Sequence, residues 1–408
     1  MKSRVILLLV SLGAAVLVSI GGSLTAFTPA AAGVPWEEGE NGEHATVTPT
    51  PAVTDDVVLC PPGVYPQGYA VDCLPSGAAA YLTRMASLGY TYPPAPLPAE
   101  PLPETWFALP KNLHYAQVRK DGGRSMYPSL EDALNGTRPR HFPPGFIYVA
   151  YTRTAYYHGK RFYMVDEDGW WMRSDDLWAV EPSHFHGVLF SQTPPRPFGW
   201  VVKPVATKRT PDFANHDYTA HTLERYEMVQ VYDTAEANGI QWYMIAPDEW
   251  LPQNAVGLVF PRSAPPEGVP TDRWIDVNLF EQTLAVYEDG MLKFATLTST
   301  GKPPFWTAPG TFQIYEKKES TRMRGAFEAD RSDYYQLAEV PWTMYYDDSR
   351  ALHGAYWHDY FGYKTSHGCI NLSISDAHWL YAWARVGDWV HVWDPSGQTP
   401  EEGGGGGP

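Results

Sequence analysis

One short segment near the C-terminus contains the residues best suited to covalent chemistry: Ser366-His367-Gly368-Cys369-Ile370-Asn371. A cysteine attacks as its thiolate, and a free thiol with a pKa of about 8.5 is mostly protonated at neutral pH. A nearby imidazole can take that proton and later return it to a leaving amine. Two histidines are candidates for this role: His367, two residues before Cys369, and His353, sixteen residues upstream.

The two histidines reach Cys369 in different ways. On an extended segment His367 and Cys369 point to the same face, but closeness along the chain does not ensure a useful angle. His353 follows the strand-like Arg350-Ala351-Leu352, and the loop over residues 354–365 can fold back and bring the imidazole onto the sulfur.

The turn around Cys369 offers further stabilisation. Gly368 allows another backbone segment to approach closely. The N–H groups of Cys369 and its neighbours are candidates for an oxyanion hole, a contribution of about 3 kcal/mol per donor. A helix predicted to begin directly afterwards would place its positive end near a thiolate.

Other roles compete with catalysis for these residues. A lone cysteine is commonly a small buried hydrophobe, and a lone histidine commonly completes a hydrogen-bond network. His353, His358, His367 and Cys369 together would also offer zinc ligands, although their spacing matches no common zinc pattern. The residue types alone leave these alternatives open.

A β-rich domain over residues 270–394 must position the cysteine. Apolar residues alternate at Ile275, Val277 and Leu279, and Asp289-Gly290 is a strong two-residue hairpin signal. Further strands are predicted at residues 309–315, 338–340, 343–345 and 388–393. Ser373-Ile374-Ser375-Asp376 resembles a helix capping box, and Gly387 is expected to end the helix that follows.

The order His353-Gly354 followed by Ser366-His367-Gly368-Cys369-Ile370-Asn371 resembles the signature of the L,D-transpeptidase family with the YkuD-type catalytic domain. The resemblance covers residues 270–394 and includes Thr307-Ala308-Pro309-Gly310-Thr311-Phe312, which is similar to the family's turn before a central strand. It implies a mainly β fold, a β-sandwich with one main helix. It also implies that Cys369 is the acylated nucleophile and that His353 is the proton donor and acceptor.

The resemblance also implies roles for the neighbouring residues. His367 would shape the oxyanion site, and Asn371 would contact the donor peptide, although many family members have arginine at that position. Ser366, Gly368 and Tyr335 are further candidates for substrate contacts. No metal or organic cofactor is implied.

The implied reaction is acyl transfer on peptidoglycan stem peptides. Cys369 would attack the L,D-peptide bond before the terminal D-Ala of a tetrapeptide stem, and an amine from a neighbouring stem would resolve the thioester as a 3→3 crosslink. Water as the acceptor would make the protein an L,D-carboxypeptidase. Another cell-wall cysteine hydrolase is a second alternative, but those enzymes resemble a pattern with cysteine before histidine. A binding protein with an inactive catalytic domain is a third, against which the intact His353 and Cys369 speak.

Residues 104–265 contain an internal repeat of short β-units. An aromatic and apolar pattern over residues 148–172 recurs over residues 228–251, and the copies are expected to close at residues 187–190 and 256–260. The pattern resembles tandem bacterial SH3-like modules, residues 104–192 and 193–265, which often bind cell-wall polymer. For any single tryptophan in this region, a core position is the better explanation.

The N-terminal region indicates export. Residues 1–32 are predicted to be a signal peptide, because Lys2 and Arg4 precede a long uncharged apolar run; an uncleaved anchor is the alternative. A linker at 33–59, a small unit with a proline-rich spacer at 60–103 and a flexible tail at 395–408 complete the predicted organisation. Cys60 and Cys73 are predicted to pair, which would leave Cys369 as the free thiol. The expected location is the cell wall or envelope.

Composition limits the partners. The chain has 408 residues, 44% of them hydrophobic, which suffices for several packed domains. It has 46 acidic and 30 basic residues and a formal charge of −16. This charge argues against nucleic acid as a partner, because a phosphate backbone requires a basic face. Membrane contact is expected only through an uncleaved N-terminal segment.

Overall fold

The computed structural model describes residues 77–165, 169–214 and 216–400. The predicted export segment, the linker, the Cys60–Cys73 disulfide and residues 401–408 lie outside these ranges. The prediction of a mainly β fold is confirmed. No helix within the described ranges has the length and apolar character needed to cross a membrane.

The elements fall into an N-terminal part, two repeat copies and a C-terminal domain. The first part has α1 (Gly77–Ser87) and β1 (Ala99–Pro101). The first copy has β2 (His114–Val118), β3 (Ser125–Met126), α2 (Leu130–Asn135), β4 (Arg140–His141), β5 (Phe146–Tyr151), β6 (Arg153–Tyr157), β7 (Lys160–Met164), β8 (Trp171–Arg173) and β9 (Leu177–Val180). The connection to the second copy contains β10 (Val188–Phe190).

The second copy has β11 (Phe198–Val201), β12 (Val205–Lys208), β13 (Tyr218–Leu223), β14 (Met228–Gln230), β15 (Asp233–Ala237), β16 (Ile240–Ala246), β17 (Glu249–Pro252) and β18 (Val256–Val259). The C-terminal domain has β19 (Trp274–Asn278), β20 (Thr283–Glu288), β21 (Met291–Leu297), β22 (Gly310–Gln313), β23 (Glu316–Gly325), β24 (Tyr335–Asp347), β25 (Arg350–Gly354), β26 (Ile370–Leu372), α3 (Ile374–Trp383) and β27 (Trp389–Trp393). Short 3-10 turns lie at Glu104–Phe107, Pro110–Asn112, Ser174–Asp176 and Gln253–Ala255.

The two repeat copies share one order of elements. In the first copy β2 pairs with β5 and β9, and in the second β11 pairs with β14 and β18. Each copy then runs through three antiparallel strands and a 3-10 turn before its closing strand. The copies differ between their first two paired strands, where α2 in the first copy is replaced by the β12–β13 hairpin in the second.

The prediction that residues 187–190 close the first copy is wrong. The counterpart of β18 is β9, whereas β10 leaves the copy and pairs with β1 and β21. A Cβ at Gly187 would collide with the Ala295 carbonyl oxygen, so this glycine permits the close approach to β21. Residues 187–190 and 256–260 have a similar pattern of glycine and apolar residues. The partners of β10 are nevertheless determined by long-range packing, which this local pattern does not reveal.

Two sheets and α3 form the C-terminal domain. The first sheet has the order β1-β10-β21-β20-β19-β27-β22. The second has the order β26-β25-β24-β5-β2-β9, with β23 also paired to β24. Residues 335–337 of β24 pair in parallel with residues 146–148 of β5. Strands of the first copy therefore continue the second sheet of the C-terminal domain.

The first sheet is buried on both faces, which explains why every residue of β19 is buried. Ile275 and Val277 belong to a core shared with the second sheet and α3. Trp274 faces the opposite way, into a core that includes Phe198 and Trp200 of the second copy. The second copy therefore packs directly on the first sheet of the C-terminal domain and gives it the two-sided burial typical of a central sheet.

Two local predictions in this domain are confirmed and one is wrong. Asp289 and Gly290 form the two-residue turn between β20 and β21, with φ angles of 57° and 70°. The Ser373 hydroxyl accepts the N–H of Asp376 at 3.2 Å and caps α3. Gly387 does not end α3: the helix ends at Trp383, because Ala384 is already extended with ψ 149°.

Both ends of the described chain contact the folded core. α1 packs on the second copy through Met85, in one cluster with Trp242 and Trp250. The proline-rich spacer is extended as predicted, and its residues Ala99–Pro101 join the first sheet as β1. In the described part of the tail, Thr399 donates its N–H to Asp394 at 3.1 Å.

Candidate active site

Two adjacent parallel strands bring the predicted site residues together. β25 carries His353 and β26 carries Asn371, and these two residues are direct partners in the register. Cys369 lies immediately before β26, so the sixteen-residue separation from His353 becomes a short step between neighbouring strands. The loop between the strands folds back as the sequence predicts.

A tight turn presents Cys369. Gly368 has φ 115°, a conformation that favours glycine. Its N–H donates to the Ser366 hydroxyl at 3.1 Å, and that hydroxyl donates to the Cys369 carbonyl oxygen at 2.6 Å. Thr307 donates to the Gly368 carbonyl oxygen at 2.9 Å. Ser366 and Gly368 thus hold the turn together through contacts within the protein.

One cavity of about 560 Å³ collects the predicted residues. Six of the seven predicted catalytic and substrate-contact residues line it: Cys369, His353, His367, Asn371, Ser366 and Tyr335. Gly368 is buried in the turn and does not line the cavity. Phe146, from β5 of the first repeat copy, also lines it, so the site is not confined to the C-terminal domain.

His353 is a neutral imidazole with one nitrogen available. Its side chain is 2% exposed, and burial lowers the pKa of His353 to about 4. Nδ1 lies 3.2 Å from the Gly354 carbonyl oxygen. Because a carbonyl oxygen only accepts, Nδ1 carries the proton, and Nε2 keeps its lone pair. At neutral pH His353 can therefore take a proton.

Cys369 needs such a base. Burial raises the pKa of the Cys369 thiol, against the opposing effects of a backbone hydrogen bond from Ala351 and the nearby charge of Arg350. The sulfur lies 4.0 Å from the Ser349 carbonyl oxygen, a weak contact made by the protonated thiol. α3 begins at Ile374, after the three residues of β26, so the helix does not begin directly after Cys369 as the sequence predicts.

His367 is held by aromatic rings. Its ring stacks on Phe327 with a centroid distance of 4.9 Å and an interplanar angle of 4°, and Tyr335 lies 5.8 Å away at 14°. Phe305 contacts the ring from 4.8 Å. Partial burial, with Lys302 nearby, lowers the pKa of His367. The stack links the cysteine turn to the β23–β24 hairpin, where Tyr335 lies.

His358 orients Asn371, a contact that sequence reasoning missed. The Tyr360 N–H donates to Nδ1 of His358 at 3.1 Å, so the neutral ring carries its proton on Nε2. Nε2 lies 2.9 Å from the Asn371 amide, and a ring N–H there requires the amide oxygen as acceptor. The amide NH₂ then takes the opposite, buried position, where Asn371 has no partner among the described residues. Asn371 thereby keeps one unsatisfied amide group buried in the wall of the cavity.

A second cavity of about 810 Å³ adjoins the first. Its wall includes Trp200 and Tyr226 of the second copy and residues 180–186 of the connection. Trp357 and His358 line both cavities and form the partition between them. Within the described ranges, no group of three or more histidine, cysteine, aspartate or glutamate side chains is arranged to hold a metal ion.

Comparisons with known proteins assign the C-terminal domain. Residues 272–392 match the model of the YkuD family, described as the L,D-transpeptidase catalytic domain. L,D-transpeptidase 1 of Mycobacterium tuberculosis is 31% identical over 168 residues, which cover 35% of this chain and 65% of that protein. The chain therefore spans just under two thirds of the length of that relative.

Solved structures with the same description are similar over part of the chain. The crystal structure of an L,D-transpeptidase from Stackebrandtia nassauensis is 27% identical with a TM-score of 0.25, over 31% of this chain and 57% of that chain. The NMR structure of the catalytic domain of an E. faecium L,D-transpeptidase is 29% identical with a TM-score of 0.27, over 30% of this chain and 97% of that chain. Residues 272–392 thus match the YkuD-type L,D-transpeptidase catalytic domain both by the family model and by similarity to the curated relative.

Proposed function

We propose that the protein is a peptidoglycan L,D-transpeptidase that forms 3→3 crosslinks through an acyl-enzyme on Cys369. The observation that carries the proposal is the neutral, buried His353 on the strand beside Cys369, in one cavity of a domain that matches the family. The family acts on the peptide stems of peptidoglycan.

The acylation step follows from the two shifted pKa values. A lowered imidazole pKa and a raised thiol pKa disfavour a resting thiolate–imidazolium pair. Proton transfer from the sulfur to His353 Nε2 therefore accompanies attack on the substrate carbonyl rather than preceding it. The S–C bond forms and the carbonyl oxygen becomes an oxyanion. The N–H groups of His367 and Cys369 are the proposed donors to it, because the Gly368 N–H already donates to Ser366.

Collapse of this intermediate completes the half-reaction. The C–N bond to D-Ala breaks, and the His353 imidazolium gives its proton to the departing amine. Cys369 is left as a thioester. In the second half, an amine of a neighbouring stem attacks the thioester and loses its proton to His353, which returns it to the sulfur. Water in place of the amine gives the L,D-carboxypeptidase alternative, so product analysis separates the two.

The surrounding residues are proposed to act at different distances from the reaction. Asn371 forms part of the cavity wall that contacts the donor peptide, and Tyr335 and His367 form an aromatic wall. Ser366 and Gly368 fix the turn that presents the oxyanion donors, and they act on the substrate through that turn.

The upstream copies are proposed to be SH3-like modules of an exported, wall-located enzyme. Trp200 and Trp242 of the second copy are fully buried and serve the core. Exposed aromatic side chains remain at Tyr156 and Trp178 of the first copy, and these are the candidates for contact with wall polymer. Binding of purified sacculi by Tyr156→Ala/Trp178→Ala, compared with the unchanged chain, tests this assignment; equal binding would refute it.

The acyl-enzyme is tested with a carbapenem of the meropenem type and intact-mass measurement. We expect a stable one-to-one adduct that is lost in Cys369→Ala and forms slowly in His353→Ala. His158→Ala, a change on the exposed turn between β6 and β7, is the matched control and should react like the unchanged protein. A folded protein that forms no adduct would contradict the proposal.

A further inference from the structure

The catalytic cavity has a charge opposite to that of the chain. The whole protein carries −16, yet four basic side chains line this cavity against one acidic side chain. The basic residues are Lys302, Arg322, Arg324 and Arg350, and the acidic residue is Asp333. A concentration of positive charge in an acidic protein attracts anionic ligands to this place.

The acidic side chain of this cavity is already engaged by backbone groups, and one of its four basic side chains is already paired. Asp333 accepts the N–H groups of Phe327 at 2.8 Å and Glu328 at 3.1 Å. Asp347 is the ion-pair partner of Arg350. In the part of the chain that the structure describes, the charged groups of Lys302, Arg322 and Arg324 form no ion pair and no side-chain hydrogen bond. Three cations are therefore available to a ligand.

These three cations come from two elements around the cysteine turn. Arg322 and Arg324 are two residues apart on β23, the outer strand of the hairpin that carries Tyr335. Lys302 lies on the loop after Gly301, where its N–H donates to the Ser366 carbonyl oxygen at 3.0 Å. Lys302 is also close enough to His367 for its charge to act on that ring.

We infer that Lys302, Arg322 and Arg324 bind a carboxylate of the acyl-donor stem and so determine which donor the enzyme accepts. This inference rests on the proposed function. A donor that ends in D-Ala carries a carboxylate one residue beyond the bond to be cleaved, and arginine forks match carboxylates in a bidentate manner.

The stem offers this carboxylate from two sources, the terminal D-Ala and the α-carboxylate of its γ-linked D-glutamate. Release of D-Ala, or of D-alaninamide, is measured with the full chain and three synthetic tetrapeptides: the free acid, the C-terminal amide and the D-isoglutamine form. The substrate that loses the recognised carboxylate should show a higher KM with the unchanged enzyme. It should also lose its sensitivity to changes of the arginines.

The variants are Arg322→Gln/Arg324→Gln and, as a separate single change, Lys302→Gln. We expect the double variant to raise KM for the free acid about tenfold with kcat changed less than about twofold, because charge-assisted hydrogen bonds contribute to binding and these side chains are partly solvated. Arg153→Gln/Lys160→Gln removes two exposed charges from the β6–β7 hairpin, away from the cavity, and should leave KM unchanged.

The outcomes separate the two proposals. An active enzyme whose KM is the same in the unchanged chain, the double variant and Lys302→Gln would overturn the carboxylate site alone. A KM that rises equally in the Arg153→Gln/Lys160→Gln control would also overturn it, because the effect would then be one of net charge. An unchanged enzyme that releases nothing from any of the three peptides would overturn the proposed function and this inference together. Lys302→Gln keeps the test decisive if the double variant fails to fold.

Discussion

Two neighbouring cavities of this molecule differ in what their polar side chains do. The larger one, of about 810 Å³, is lined by Glu181 and Asp359 and, among the described residues, by no lysine or arginine. Asp359 pairs with Arg225 at 3.2 Å and accepts the Tyr226 hydroxyl, so it ties the loop after β25 to the second copy. Ser183 also donates to Asp359, so several polar groups around this cavity are hydrogen-bonded to one another.

The smaller cavity, of about 560 Å³, keeps its polar groups available. Nε2 of His353 has no hydrogen-bond partner among the described residues, the Asn371 amide has an unsatisfied atom, and three cations lack ion pairs there. Unsatisfied groups held in place cost free energy, and their concentration in one cavity marks it as the place for a ligand. Cavity volume alone would have selected the wrong one of the two.

The largest effect is expected when the loss of a histidine from the smaller cavity is compared with the loss of a histidine from the larger one. His353→Ala should lower the second-order rate constant of carbapenem acylation about a thousandfold, because it removes the base from a thiol whose pKa is raised. Stopped-flow fluorescence measures this rate. His184→Ala, which changes only the second cavity, is the control. If both variants were slowed equally, the division between a reactive and a structural cavity would be wrong.

The pH dependence of acylation follows from the same histidine. His353 must be neutral to accept a proton, and its pKa is about 4. We therefore expect the rate to fall about tenfold per pH unit only below pH 4. The rate should stay level from about pH 5 up to the raised pKa of the Cys369 thiol. Above that pKa it should fall, because Cys369 no longer carries the proton that His353 passes to the leaving amine. An acid limb near the ordinary histidine pKa of about 6.5 would contradict the described burial of His353.

A smaller effect on the reaction is expected from changing His358, which lies in the partition between the two cavities. His358→Ala should slow D-Ala release about tenfold, because Asn371 loses the partner that orients its amide. Asn371→Ala should have a similar effect, and the double variant should be no worse than either single change. Arg225→Gln alters only the second-cavity side of the same loop and should change the rate less than about twofold. Additive losses in the double variant would show that His358 acts independently of Asn371.

Glu281 lines neither cavity. Changing it should have the smallest effect on the reaction and a clear effect on the stability of the fold. Its side chain is 5% exposed, accepts the Leu258 N–H at 3.0 Å, and has its pKa raised to about 8 by burial. The folded state thus holds a proton that the unfolded chain releases above about pH 4.3. Unfolding free energy should fall as pH rises from that value to about 8.

Glu281→Gln should remove this dependence. At pH 9 we expect its Tm to exceed that of the unchanged protein by about 3 °C or more, while acylation by the carbapenem stays the same. Differential scanning calorimetry at pH 5 and pH 9 measures the difference. A Tm gap that did not widen with pH would mean that Glu281 is ionised in the folded protein.

The sequence predicted those parts of the site that depend on local pattern. The Asp289-Gly290 hairpin and the Ser373 cap are decided by a few adjacent residues whose conformational preferences are strong. The juxtaposition of His353 and Cys369 was expected from their order, and the parallel pairing of β25 with β26 is its structural basis.

Features that depend on distant pairing were missed. The register of β24 against β5 brings Phe146 into the cavity, and nothing within residues 140–150 indicates that partner. The contact of His358 with Asn371 spans thirteen residues of irregular loop, whose path is determined by packing on the second copy. The cationic lining was hidden because Lys302 and the two arginines of β23 belong to separate segments of an acidic chain.

The most direct test is the mass of the acyl-enzyme formed from a natural type of donor. The full chain is mixed with a stem tetrapeptide ending in D-Ala, without an amine acceptor, and quenched within milliseconds for intact-mass and peptide-map analysis. We predict an adduct equal to the donor minus D-alanine, located on Cys369 and absent from Cys369→Ala. An adduct on another residue, or release of D-Ala by folded Cys369→Ala at the unchanged rate, would contradict the account.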